Sequence, residues 1–203
     1  MPGVARPRTL SDQDLLAATH RVVVRLGPSL TLADVAREAG VSAATLVQRF
    51  GSKRNLLLAF ATLGSTGTRE QFEAIRARHP EPLEALREVV RCYAQMATSP
   101  EVVSNGLAFL QMDLIDPDFH QPALAGARTT LEALRQILDD AVRRKRLRRC
   151  DTKQLALALH AIIGGAMLAW AVLREGSAAS MMQSAVDALL QPRVIPKRKR
   201  ARR

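Results

Sequence analysis

An all-α fold is predicted by three features of this sequence. Apolar residues recur at three- and four-residue spacing in one segment after another, no stretch alternates with the period of a strand, and the segments break at Gly and Pro. With 203 residues, 47% of them hydrophobic, the chain can bury a substantial core in one or two domains.

The first helix is expected after Ser11. Ser11 and Asp14 have the spacing of a capping box, Leu15, Leu16, Ala18, Val22, Val23 and Leu26 form one apolar stripe, and Gly27-Pro28 stops it. A second capping box, Thr31 with Asp34, starts a short helix carrying Leu32, Val35, Ala36 and Ala39 on one face. Gly40 ends that helix, because a sharp turn needs a left-handed residue. Ser42 then caps a third helix whose Leu46 and Phe50 point back at the second.

That pair has the spacing of a helix-turn-helix, although a plain helical hairpin has it too. The residues facing away from the partner are Ala43, Ala44, Thr45, Gln48 and Arg49, short or hydrogen-bonding groups suited to base edges in a major groove. Immediately downstream, Ser52 caps a further helix that opens with Lys53 and Arg54. Cations in a first turn oppose the helix dipole, and a phosphate bridging Lys53 and the free backbone N–H groups would resolve the mismatch.

The run LLAATHRVVVRLGPSLTLADVAREAGVSAATLVQRFGSKRNLLLAF resembles the TetR/AcrR family of bacterial transcriptional regulators, over about the first sixty residues. By that resemblance Ser42 to Phe50 is the recognition helix and Lys53 a phosphate contact, with Thr31 also placed to hold DNA. The family usually has an aromatic, most often Tyr, where this chain has Val47, which cannot donate a hydrogen bond to a phosphate. Arg49 is the candidate replacement.

Charge follows the same division. Residues 1–65 hold 8 Lys and Arg against 4 Asp and Glu, whereas residues 66–142 hold 7 against 12. The rest of the +11 total sits in RRKRLRRCD, residues 143–151, and in residues 193–203, with 7 basic side chains and no acidic one. That tail offers nothing to bury and repels itself, so it is expected to be disordered, either a non-specific tether to DNA or a solvated terminus.

Residues 55–192 read as helices throughout. One runs over Pro82 to Met96, a second over Glu101 to Leu114, a third from beyond Asp116-Pro117 to about Arg146, and the last over about Ser177 to Leu190. Between the last two, Leu155 to Leu173 is nineteen residues long with His160 as its one ionisable group, close to the length of a membrane span. Its six Ala and two Gly make it less lipophilic than a Leu-rich span, and burial on every side is expected instead. Ala161, Gly165 and Ala169, four apart, would let a second helix approach closely.

The resemblance implies a helix-turn-helix domain over 1–54 and a helical effector-binding and dimerisation domain over 55–192, and the charge pattern sets off the tail over 193–203. The resemblance also implies a homodimer on palindromic double-stranded DNA, paired through the last two helices, with Met182, Val186 and Leu189 joining Ala161, Gly165 and Ala169 at the interface. A small-molecule effector would occupy a pocket in the second domain. Candidates there are Cys92, Tyr93, Met96, Phe109 and Met112, together with Phe119, His160, Met167 and Trp170, although ordinary core packing is the simpler account of each of them.

Other chemistries find little support. The four histidines and two cysteines lack zinc-ligand spacing, and no P-loop, nucleophile elbow or dinucleotide-binding glycine pattern occurs, so neither an enzyme nor a cofactor is expected. Met1 to Ser11 has no apolar core, so a cytoplasmic protein with reduced thiols and no membrane partner is expected. The alternatives are a membrane-anchored protein spanning at 155–173 and a regulator that dimerises without any ligand.

Overall fold

The computed structural model describes residues 10–196. Among them the helices are α1 (Asp12–Leu26), α2 (Leu32–Ala39), α3 (Ala43–Phe50), α4 (Lys53–Arg78), α5 (Pro82–Gln95), α6 (Pro100–Ile115), α7 (Pro117–Arg143), α8 (Thr152–Leu173) and α9 (Ala178–Leu190). Short 3-10 turns follow α1 and α9, and no strand longer than one bridge is present among the described residues.

Local chemistry sets most of these boundaries. Ser11 and Thr31 each accept a hydrogen bond from the backbone N–H three residues on, while Asp14 and Asp34 return a bond to the cap, so both capping boxes form. Ser42, Ser52, Ser99 and Ser177 cap α3, α4, α6 and α9 in the same one-sided way. Proline opens α5, α6 and α7, where its missing N–H leaves no helical bond unmade.

Two cores result. The smaller takes Leu15, Leu16, Val22 and Val23 from α1, Val35 and Ala36 from α2 and Leu46 from α3. It does not end at residue 54, where the sequence placed the domain boundary: Leu56 and Leu57 of α4 and Phe119 of α7 complete it. The larger core joins α5, α8 and α9 to the distal halves of α4 and α7, through Phe72 and Ile75 on α4 and Leu134, Ile137 and Leu138 on α7. Helices α4 and α7 therefore run through both the head, built on the smaller core, and the body, built on the larger.

The middle of α4 is built differently from its ends. Gly64 and Gly67 flank Ser65 and Thr66, and Thr62, Ser65, Thr66 and Thr68 turn their hydroxyls back onto carbonyls three or four residues earlier. Glycine is the least favoured helix former after proline, and hydroxyls that bond back along a helix tend to bend it.

Two expectations need correction here. Burial of α8 on every side fails within one chain: Leu157, Val172 and Leu173 are more than half exposed, and only 33% of its most apolar window is buried. The tail also begins later than residue 193. Val194 bridges to Leu147, the Arg148 N–H donates to Arg193 O at 2.8 Å, and the Ile195 N–H donates to Arg146 O at 2.9 Å, so this segment straps the loop between α7 and α8. The rest of the expected tail, 197–203, lies outside the described residues.

Candidate nucleic-acid interface

The turn between α2 and α3 rests on Gly40, at φ 70° and ψ 31°. A left-handed residue there lets the Val41 N–H reach back to Ala36 O at 3.0 Å, a carbonyl it shares with the Gly40 N–H at the end of α2. The chain reverses and Ser42 caps α3 at once, its Oγ accepting from the Thr45 N–H at 3.2 Å. Val35, Ala36 and Leu46, all nearly inaccessible, lock the two helices together.

Packing on that side fixes what α3 shows to solvent. Ala43, Ala44, Val47, Gln48 and Arg49 are exposed, and Thr45 is half-buried with its hydroxyl 2.9 Å from Ser42 Oγ. Thr31, at the start of α2, gives its hydroxyl to Asp34 at 2.7 Å, and these bonds from Thr31 hold the Asp34 carboxyl below its ordinary range. Lys53 is half-buried at the first position of α4, and no carboxylate pairs with it among the described residues.

Arg49 and Arg54 are committed elsewhere. The Arg49 guanidinium donates to Asp12 Oδ1 from Nε at 2.8 Å and from Nη2 at 2.6 Å, which ties α3 to the start of α1. Its charge is thus shared with a carboxylate rather than held ready for the phosphate that Val47 cannot bind. Arg54, next to Lys53, donates to Asp116 and Asp118 at the start of α7 and lies 5.5 Å from the Phe119 ring centroid. Of the two cations opening α4, Lys53 remains the one suited to phosphate.

The comparisons with known proteins agree with this geometry. Residues 15–60 match the family model described as bacterial regulatory proteins, tetR family, and residues 82–192 match that of the BetI-type transcriptional repressor, C-terminal. The chain belongs to the TetR family. It is a TetR-family transcriptional regulator with a DNA-binding helix-turn-helix in its head.

Among characterised relatives, the HTH-type transcriptional regulator NfxB of Pseudomonas aeruginosa is 34% identical over 127 residues, which are 62% of this chain and 64% of NfxB. The match thus spans somewhat less than two thirds of that regulator's length. Two solved structures share the fold at lower identity. A transcriptional regulator from Saccharomonospora viridis in complex with choline has 21% identity and a TM-score of 0.75, over 91% of this chain and 98% of that one. SmeT, the repressor of the Stenotrophomonas maltophilia multidrug efflux pump SmeDEF, has 20% identity and a TM-score of 0.66, over 93% of each chain.

In this TetR-family chain the residues expected at an effector pocket are not gathered around one cavity. Phe119 is fully buried in the head's core, with Phe109 and Met112 packed against the same cluster. Cys92, Tyr93, Met167 and Trp170 belong to the body's core, where Trp170 donates its indole N–H to Gly176 O at 3.3 Å. Burial raises the Tyr93 phenol above its ordinary value, opposed by a bond to Thr130, and burial lowers the half-buried His160 imidazole. Met96 stands in solvent at 64% exposure.

The expected dimer residues divide in two. Ala161, Gly165 and Ala169 lie exposed along one face of α8, in line with Leu157 and Val172. Met182 and Val186 do not join them: both are buried in their own chain's core, because the apolar stripe of α9 is used against α5 and α8. Leu189 is partly buried against that same core.

The sequence reading missed Asn105. Its amide nitrogen donates to Val24 O and to Arg25 O, both at 3.0 Å, closing carbonyls that the end of α1 leaves without helical partners. Gly27, at φ 60°, lies directly against it, and a Cβ there would come within 2.9 Å of Asn105 Oδ1. No local pattern marks such a contact, since the partners are about eighty residues apart.

Proposed function

We propose that this chain is a cytoplasmic, homodimeric repressor that binds a palindromic operator through α3 and leaves it when a small molecule binds. The observation carrying this reading is the combination of a solvent-exposed α3 face, with Ala43, Ala44 and Gln48 on it, and a Lys53 beside it that no carboxylate pairs with among the described residues. A recognition helix seats its first residues against base edges while a nearby cation takes a phosphate. Ala43, Ala44, Thr45 and Gln48 then read sequence, whereas Ser42 and Thr31 orient the helix starts near the backbone.

Dimerisation is supported by the apolar face of α8. Leu157, Ala161, Gly165, Ala169 and Val172 form a strip that water solvates poorly, and a second copy related by a two-fold axis would cover it with the same strip. The 22 residues of α8 are long and apolar enough to cross a membrane, and family membership favours a protein partner for the exposed strip instead. SmeT is a repressor and the Saccharomonospora regulator carries choline, and a ligand-released repressor is the reading of this chain in keeping with both.

Selection of bound DNA from a random pool tests the proposal. An enriched palindrome, bound by two chains, is expected. Recovery of an asymmetric site, or no enrichment at all, would overturn it.

A further inference from the structure

A half-open cavity of about 470 Å³ lies where the head meets the body. Its apolar walls come from both sides of that junction: Val24 from α1, Phe60 from α4, Met96 from the end of α5, and Gly106 from α6. The Phe60 ring is braced on two sides, stacked with His20 at 5.9 Å and meeting Phe109 edge-on at 5.8 Å, and so offers a fixed flat surface. Volume and lining are those of a site for a small organic molecule.

Arg21 gives the lining a positive charge. His20 and Arg21 are the ionisable residues of its lining, and no carboxylate belongs to it. A cationic ligand would meet no compensating charge, whereas an anionic group would find Arg21 and a flat ring system would lie against Phe60. Arg21 is already engaged: its Nε donates at 2.6 Å to Glu38, which lies on α2. An anion in the cavity therefore competes with the helix-turn-helix for the same guanidinium.

The cavity also borders the joint made by Asn105. Val24 lines it while its carbonyl accepts from Asn105, and Gly106 lines it as the next residue along α6. A molecule seated between α1 and α6 would lie beside that bond, against the side chain of one partner and the chain neighbour of the other. We propose that the cavity is an effector site for a planar aromatic anion, whose binding draws Arg21 from Glu38 and loosens the grip of Asn105 on α1. This rests on the reading of the chain as a ligand-released repressor, and it places the effector at the junction rather than in the core of the body.

The test uses the full chain and two probes that share a naphthalene ring and differ in charge, 2-naphthoate and 2-naphthylmethylammonium, followed by calorimetry. A Cβ at Gly106 meets nothing within 4 Å, so a side chain can start there, and Gly106→Phe is designed to occupy the cavity. Expected are one naphthoate per chain, binding of the ammonium probe at least about tenfold weaker, and loss of naphthoate binding in Gly106→Phe with its helical circular dichroism kept. Arg21→Gln, on an exposed side chain, should erase the preference for the anion even if Gly106→Phe folds poorly. Saturating naphthoate should lower affinity for the selected operator about tenfold in the parent chain and leave it unchanged in Gly106→Phe. Equal binding of both probes, undiminished binding in Gly106→Phe, or an operator affinity indifferent to naphthoate would each overturn the site. Failure of the DNA selection overturns the repressor reading itself, whatever calorimetry finds.

Discussion

One guanidinium nitrogen of Arg54 reaches both oxygens of Asp116, at 2.9 and 2.8 Å, across the joint between the head and the start of α7. Asp116 also caps α7, accepting from the Asp118 N–H at 3.0 Å, so one carboxylate both opens a body helix and holds a head residue. The bonds from Arg54 keep the Asp116 carboxyl below its ordinary value of 3.8. A depressed carboxylate favours the folded state above that value, and its contribution is lost as the pH falls below it. The joint is therefore intact at neutral pH.

Adjacent cations with different partners should give different salt dependence. Lys53→Ala is expected to reduce the slope of log K against log salt by about 0.9, the loss of one phosphate contact. Arg54→Ala should leave the slope unchanged while speeding amide exchange at the start of α7, since its partners are carboxylates of the same chain. Operator titrations at several salt concentrations, with hydrogen exchange on both variants, check the pair.

The two cores should fail separately. Leu46 is wholly buried in the head, and Leu46→Ala should cost about 2–5 kcal/mol. Phe119→Ala should cost about 3–5 kcal/mol, and it too should melt the head although it lies on a body helix. Exchange protection retained in α8 and α9 but lost in α1–α3 is the expected pattern.

How far the sequence could be read depended on the range of each interaction. The capping boxes at Ser11 and Thr31, the turn at Gly40 and the exposed face of α3 were all legible, because each is decided within a few residues. Asn105 on α1 and Arg54 on Asp116 were not, since 62 to 81 positions separate the partners. The stripe of α9 was visible, but periodicity does not say against what a stripe packs. Met182 and Val186 were thus assigned to a second subunit when their own chain already buries them. Arg49 shows the same limit, for nothing near it announced Asp12.

A charge on the open face of α8 should separate the two chains of the proposed dimer. A Cβ at Gly165 meets nothing within 4 Å inside the chain, so Gly165→Glu is expected to leave the protomer folded, as circular dichroism would check. Sedimentation should then report a single chain, and operator affinity should fall about a hundredfold or more as the two half-sites lose their link. Unchanged mass would place the interface elsewhere.

His160 should make stability sensitive to mild acid. Burial lowers its imidazole below the ordinary 6.5, so the unfolded chain takes up the proton first. The contribution of the neutral ring is whole above pH 6.5 and is lost progressively below it. His160→Gln should show a smaller drop in melting temperature between pH values on either side of 6.5 than the parent chain, as read by circular dichroism.

The glycines and hydroxyls at the centre of α4 bear on how strain would travel through the molecule. Each glycine there is about 1 kcal/mol less favourable to helix than alanine, so this segment bends more cheaply than the helix on either side of it. A shaft with a compliant middle carries displacement along its length but transmits little torque. The pitch of the head is then governed at its rim, where Asn105 holds α1 and Arg54 holds α7, and α4 serves as the tether that keeps the head within reach of both.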